Sequence, residues 1–567
     1  MQTHHKHKMM PNPPHTSDIA LVNGHIYTVD AARHSVEALA IKGNRIVFTG
    51  KTAEVQAWIG PQTRVINLRG KMVLPGFVDS HCHITSGVCE IYEPVLHGIN
   101  IVEGYQRAVR EFASTRPGQR GIQAGGWVNA VFDPHGPQKE LLDAIVSDIP
   151  VVLFSEDYHN AWVNSRALEL GGITADTPDP ANGIIERGAD GNPSGTLRES
   201  AVELVKKAIP SYTVAQVQEG LAYFQKKAHS LGITTVYNPL VSVKDLADLQ
   251  AFHEWQRSGQ MRLRVPSAME VEPGDPIDVV EELVSLRARE QGGLFGLPAA
   301  KIFMDGVLEG GTAYLEEPYL HLSGSRGILN WDPQKYNRMC TALDQAGFQI
   351  HVHSIGDAAT RITLDGFAEA RRQNGGRDSR HGITHIQLVN VADIDRFAGL
   401  GVIAVPQPYW FVMDANYNQA LKYIGPERAA RQYPMKSFFD KGVIVASASD
   451  YNVTIRPNPL VAIEIGVTRT VPGDDRTFAY PDFHNVLVPG ERVTVEEMIA
   501  SFTINGALAA FLENETGSLE VGKKADIIVL DKDILTVETT EIHHTRVLLT
   551  IFDGKEVYRH SSFVEHG

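Results

Sequence analysis

Histidine and aspartate residues recur in this chain at spacings that could hold metal ions. In Asp79-Ser80-His81-Cys82-His83 two imidazoles stand one residue apart. At the end of a β-strand, His81 and His83 would share a face and reach one ion while Cys82 points away. His351-Val352-His353-Ser354-Ile355-Gly356-Asp357 repeats the spacing, and pleat alone lets either His351 or His353 be a ligand. Thr384-His385 and Ser447-Ala448-Ser449-Asp450 close two further apolar runs. Each group also has an ordinary reading. A lone histidine after a strand is usually a hydrogen-bonded core or surface residue, and Asp450 could form a turn or cap a helix. The coincidence of all of them at the same end of strands of one fold favours a metal site.

Lys301 lies in the apolar run Ala300-Lys301-Ile302-Phe303-Met304-Asp305-Gly306, where an ammonium is costly to bury. Burial lowers a lysine pKa, and the neutral amine can combine with carbon dioxide. The resulting carbamate is an anionic oxygen ligand able to bridge two ions. A buried ion pair with Asp305 or Asp357 fits the residues equally well.

The groups need strands to aim them. Val73–Ser80, Ile233–Tyr237, Arg262–Ala268, Ala300–Met304, Phe348–His353, Gly382–Ile386, Val402–Pro406 and Val443–Ser449 read as strands. Helical patterns such as Val214–Ser230, Val243–Arg257, Pro276–Arg289 and Pro333–Ala346 alternate with them. The count predicts an α/β fold, a (β/α)₈ TIM barrel with its active site at the C-terminal ends of the strands. An open doubly wound sheet alternates similarly, but no G-x-G-x-x-G follows the first strand. Residues 84–212 are too long for one crossover and read as an insertion covering the active site. Short β runs at both ends, Ile19–Val29, Ala38–Thr49, Arg64–Leu68, Ala525–Leu530 and Arg546–Phe552, predict a small β-sandwich assembled from residues 17–72 and 487–567. The barrel then occupies 73–486, and residues 1–16, with His4, His5 and His7, read as a flexible tail.

Composition restricts the partners. The chain has 567 residues and a formal net charge of −15, without a long basic run, so nucleic acid is not an expected partner. No apolar stretch approaches a membrane span, and no secretory signal opens the chain. Three scattered cysteines imply no disulfide framework and fit a reducing cytoplasm.

The motifs together resemble the amidohydrolase superfamily, in its branch called amidohydrolase family 3, which includes N-substituted formamide deformylases. The resemblance rests on Pro75-Gly76-Phe77-Val78-Asp79-Ser80-His81-Cys82-His83, Lys301-x-x-x-Asp305-Gly306, His353-Ser354-Ile355-Gly356-Asp357, Thr384-His385-Ile386-Gln387-Leu388-Val389 and Ser449-Asp450. Gly517-Ser518-Leu519-Glu520-Val521-Gly522-Lys523-Lys524-Ala525-Asp526 extends it to the C-terminal segment. It implies that His81, His83 and Asp450 bind one metal and His353 and His385 the other. Lys301, as a carbamate, would bridge two divalent ions, zinc by expectation. His353 matches the family's His-x-Ile-Gly-Asp, which leaves His351 to fill a layer or support a ligand.

The implied reaction is hydrolysis of a linear, non-peptide amide C–N bond, in an N-substituted formamide or N-acyl amine. Hydroxide would form from water held between the ions, and Asp450 would carry the proton to the leaving nitrogen. The insertion matches the family at Asp157–Ser165, a segment bordering the substrate. Trp127, His159, Trp162 and Tyr409, with Trp410, are the expected substrate contacts, and they predict an apolar or aromatic group beside the scissile amide. Tyr237-Asn238 departs from an acidic residue or histidine that many relatives carry. The expected partners are a small-molecule amide and, as oligomer, a second copy of the chain. Lactone or ester hydrolysis, deamination and a non-catalytic binding or regulatory barrel are the competing readings; Ser354-Ile355-Gly356-Asp357, where deaminases place a glutamate, counts against deamination.

Overall fold

Phe77–Asp79 opens a series of parallel strands that follow one another in chain order in a computed structural model. The structure describes residues 16–564 except 210, 245, 291, 455, 474, 476, 477, 479 and 480. His4, His5 and His7 lie outside the described residues. Phe77–Asp79 pairs with Ile233–Val236, and a bridge from Thr235 to Arg264 leads onward. Asn238–Val241, Val265–Glu270, Phe295–Phe303, Gln349–Ser354, Gly382–His385 and Ile403–Val405 continue in parallel register. A parallel bridge joins Ala404 to Val445. The Ser80 N–H then donates to the Ser447 carbonyl at 3.2 Å, and the Asp450 N–H to the His81 carbonyl at 2.8 Å. Those bonds bring the last segment of the series back against the first.

Helices fill the intervals because their apolar stripes need a sheet to cover. Val214–Ser230 starts at a capping box built by Thr213 and Gln216. Leu221, Phe224, Phe252, Leu283, Leu343, Leu364 and Phe397 from successive helices meet Val236, Met269, Ile302, Val352, Ile383 and Ala404 in one buried cluster. Each such side chain contributes about 1.5–3 kcal/mol on burial.

Two expected strands differ from the structure. Val73–Ser80 is broken at Gly76. Met72–Pro75 pairs with Ile527–Leu530, and only Phe77–Asp79 joins the parallel series. Pro75 offers no N–H to prolong the ladder. A Cβ at Gly76 would lie 2.3 Å from Thr234 Oγ1, so the step between sheets needs glycine. Val443–Ser449 is an extended segment tied by bonds such as Ala446 N–H to the Ala404 carbonyl (2.9 Å), rather than a continuous strand.

Strands from both chain ends share one six-stranded sheet. Lys555–Arg559, Val547–Phe552, Ile527–Leu530, Met72–Pro75, His25–Tyr27 and Ser35–Val36 form it, beside a four-stranded sheet of Arg45–Gly50, Ala38–Lys42, Ile19–Val22 and Arg64–Asn67. Leu21, Leu39 and Ile41 of the second sheet bury against Val73, Ile527, Val529 and Leu549 of the first. The stretch expected as an insertion has a five-stranded sheet of its own, ordered Gly183–Arg187, Pro193–Glu199, Asn160–Val163, Val151–Ser155 and Ile122–Trp127. Among the described residues no helix is long and apolar enough to cross a membrane.

Candidate metal centre and its cavity

The C-terminal ends of the parallel strands converge on a cavity of about 890 Å³ lined by His81, His83, Lys301, His353, His385 and Asp450. One possible ligand atom from each of His81, His385 and Asp450 falls within 4.8 Å of the others. His83 Nε2 approaches Asp450 Oδ1 at 3.2 Å, and His81 Nε2 approaches it at 3.3 Å. His353 stands next to His385, ring centres 4.5 Å apart, with its Nε2 3.2 Å from the Gly306 carbonyl. His81, His385 and Asp450 thus form the tightest group, drawn from both of the ligand sets expected from sequence.

Neighbours orient the ligand candidates. His81 Nδ1 shares a 2.7 Å hydrogen bond with His351 Nε2, which leaves His81 Nε2 for the cavity. His351 therefore supports His81, and Tyr237 stacks on it. His385 Nδ1 meets Gln407 Oε1 at 3.0 Å, while Trp410 stacks on the ring at 5.4 Å. His385 and Asp450 hold φ of 74° and 54°. Left-handed backbone at non-glycine residues is uncommon and persists where the surroundings over-determine it.

Burial and mutual repulsion hold His81, His353 and His385 well below the usual imidazole range, so their lone pairs are free to coordinate. Burial alone would raise Asp450, but His83, His385 and Lys301 keep its carboxyl below the ordinary value. Lys301 is fully buried, and desolvation lowers it to about 7 against the pull of Asp450 and Glu270. Its amine makes no hydrogen bond. The ion pairs considered from sequence are absent: Asp305 accepts backbone N–H groups from Ile355, Gly356 and Tyr314 at 2.8–3.0 Å. Asp357 Oδ1 accepts from Glu316 N–H at 2.8 Å. His81 Nε2, Lys301 Nζ and Asp450 Oδ1 are all buried without a hydrogen-bond partner. Buried polar atoms without a hydrogen bond are expensive, and two imidazoles, a carboxylate and an amine that burial shifts toward its neutral form make a donor set that a divalent cation fits.

The expected substrate contacts divide. His159 and Tyr409 line the cavity together with Trp410. Trp127 and Trp162 do not. They are buried among Leu96, Tyr105, Leu142 and Leu153, where Trp127 Nε1 donates to the Leu153 carbonyl (2.8 Å) and Trp162 Nε1 to the Gln138 carbonyl (2.9 Å). Large aromatic area is worth most in a core, and both indoles found partners there. Buried carboxyl groups also line the cavity. Burial pushes Glu156 up to about 8, Glu309 to about 7 and Asp414 to about 6 on its walls.

Three carboxylates hold roles that the sequence reading did not assign them: Asp79, Asp305 (considered there only as an ion-pair partner of Lys301) and Glu199. Asp79, buried and raised to about 7, accepts the Ser449 N–H at 2.9 Å and ties the His81 strand to the Asp450 segment. Asp305 performs the same service for the loop after His353. Glu199 holds His159, with Nδ1 2.8 Å from Oε2. The first two sit inside the quoted motifs, where a role could have been sought. Glu199 carries no local signal, because its partner comes from 40 residues earlier.

The sequence profile of the amidohydrolase family matches residues 64–558. Protein LONG AFTER FAR-RED 3 of Arabidopsis thaliana is 31% identical over 555 residues, covering 96% of this chain and 92% of that protein. N-substituted formamide deformylase of Arthrobacter pascens is 27% identical over 566 residues, covering 95% and 97%. The crystal structure of an uncharacterized metal-dependent hydrolase from Pyrococcus furiosus aligns with a TM-score of 0.68 at 26% identity, covering 91% of this chain and all (100%) of that one. With the converging ligand groups, these matches assign the chain: it belongs to the amidohydrolase family and is a metal-dependent hydrolase acting on carbon–nitrogen bonds other than peptide bonds.

Proposed function

We propose that this hydrolase cleaves a linear amide, an N-substituted formamide or N-acyl amine, with two divalent ions at the mouth of a (β/α)₈ barrel. In this reading the parallel series is the barrel, the two terminal sheets are a β-sandwich domain, and residues 84–212 are an insertion over the mouth. The observation that carries the proposal is the buried set of His81 Nε2, Lys301 Nζ and Asp450 Oδ1, none of which makes a hydrogen bond, with His81 Nε2 3.3 Å from Asp450 Oδ1 and His385 beside them. His81, His83 and Asp450 would hold one ion and His353 and His385 the other, with Lys301 as a bridging carbamate. Bound zinc would acidify water and polarise the scissile carbonyl. Asp450 takes the proton from the attacking water and delivers it to the departing nitrogen, which could not leave as an amide anion. Trp410 and Tyr409 offer aromatic surface to a substrate group beside the amide. The relative from Arthrobacter pascens, a formamide deformylase by name, supports a formyl acyl group. Three free cysteines, Cys82, Cys89 and Cys340, suit a cytoplasmic setting.

The test is turnover of N-formyl, N-acetyl and N-acyl-amino-acid amides by zinc-loaded protein, with metal counted by elemental analysis. Hydrolysis of an aromatic N-substituted formamide at about two ions per chain is the expected result. Turnover of esters and lactones but of no amide would overturn the substrate assignment.

A further inference from the structure

One residue pair joins the insertion's sheet to the metal face. Asn160–Val163 runs antiparallel to Pro193–Glu199 with Asn160 opposite Arg198, so one step further His159 stands opposite Glu199. The Glu199 N–H donates to the His159 carbonyl at 2.8 Å. The side chains meet as well, His159 Nδ1 to Glu199 Oε2 at 2.8 Å. The other carboxylate oxygen, Oε1, accepts from Thr312 Oγ1 at 2.5 Å, and Thr312 Oγ1 accepts the Val307 N–H at 2.9 Å. Glu199 therefore spans from the insertion to the segment after Asp305. Room for it exists because residue 306 is glycine: a Cβ there would lie 2.3 Å from both Glu199 Oε1 and Thr312 Oγ1. Glu199 also adopts a φ of 49°, a conformation rarely kept by glutamate without a reason in its surroundings.

With Nδ1 engaged, the second ring nitrogen of His159 makes no protein hydrogen bond among the described residues, and the ring lines the cavity 5.1 Å from that of His353. An imidazole fixed by a carboxylate at one nitrogen and presented to a reaction site at the other is an arrangement for contacting reacting atoms. We infer that His159 is a catalytic residue contributed by the insertion, its Nε2 contacting the scissile amide, and that Glu199 is the positioning residue that holds it there. This rests on the substrate reading above.

The experiment uses the metal-loaded full chain and the panel compound that the wild type turns over fastest, amide or ester. His159→Ala should lower kcat about a hundredfold and Glu199→Gln about tenfold, with KM within about twofold in both. Metal content and melting temperature should match the wild type. The double variant should be no slower than His159→Ala, because Glu199 acts only through the imidazole. Added imidazole should return part of the rate to His159→Ala. Multiplicative losses in the double variant, loss of metal from His159→Ala, or an unchanged kcat would overturn the inference. Should His159→Ala not fold, His159→Gln carries the same comparison. A wild type active only on esters removes the amide reading and leaves the comparison readable. Full amide turnover by His159→Ala removes this inference and leaves that reading in place.

Discussion

Burial disfavours the charge on both Asp450 and Lys301, and their neighbours decide the outcome differently for each. Asp450 is kept ionised by the imidazoles and amine around it, whereas Lys301 faces a desolvation cost that lowers it to about 7. An amine titrating there is partly neutral at physiological pH and able to form a carbamate. Lys301→Ala is therefore expected to bind less metal, and zinc should raise the melting temperature of the wild type more than that of the variant. Equal metal content in both would remove Lys301 from the centre. Asp450→Asn keeps an oxygen for coordination but cannot carry a proton, so kcat should fall about 10²–10⁴-fold with metal retained. Turnover close to wild type would shift the proton transfer to another group. At this scale the sequence was most informative: the His81, Lys301, His385 and Asp450 side chains converge as strand ends predicted. What it left open was pairing, since His351 and His353 share a face and only tertiary contact shows His351 behind His81.

The strand–helix alternation was legible because each element repeats an apolar period that its neighbour covers. Val214–Ser230 matches the expected bounds to the residue. The stretch 84–212 was legible as a length and not as a sheet. Val151–Ser155 with Asn160–Val163 and Gly183–Arg187 with Pro193–Glu199 are local hairpins, but the pairings that join them into one sheet, Ile122–Trp127 with Val151–Ser155 and Asn160–Val163 with Pro193–Glu199, connect strands separated by other elements. Its tryptophans were misassigned for the same reason: an aromatic residue reads alike whether it faces a core or a cavity. The consequence is measurable. Trp162→Ala should destabilise the insertion by about 3–5 kcal/mol and lower activity on all substrates alike. Trp410→Ala, which removes the ring stacked on His385, should instead change kcat/KM unequally between small aliphatic and aromatic amides. Equal losses across the series from Trp410→Ala would leave specificity to other parts of the wall.

On the scale of the whole molecule, the two chain ends and the parallel series are tied together by charges as well as by apolar surface. Glu556 accepts hydrogen bonds from Arg559 in its own strand and from Arg64 near the other end, and those arginines hold its carboxyl down at about 2 despite partial burial. The folded value lies below the ordinary 4.5, so this contribution is present above pH 4.5 and is lost as pH falls toward 2. Protection of the amides in Val547–Phe552 and Lys555–Arg559, taken relative to their intrinsic exchange rates, should fall over that window in the wild type, and Glu556→Gln should show the lower protection at every pH. The deeper tie is Asp526. Its Oδ1 accepts Arg264 Nη2 at 3.1 Å and the Asp553 N–H at 2.7 Å, and its Oδ2 accepts Arg264 Nε and Thr516 Oγ1, both at 3.0 Å. Arg264 bridges to Thr235 in the parallel series, so this carboxylate links that series to the terminal sheet. Removing it leaves a buried guanidinium with Asp553, 3.4 Å away and partly exposed, and the face of the Phe552 ring at 4.8 Å. Asp526→Ala should therefore cost about 3–5 kcal/mol. An exposed pair such as Arg431 with Glu427 makes the control, because Glu427→Ala removes a charge that water already screens. Denaturant midpoints for the two variants, with metal content checked, decide the matter. A midpoint for Asp526→Ala as close to the wild type as that of Glu427→Ala would show that apolar burial alone holds the terminal sheet on the parallel series.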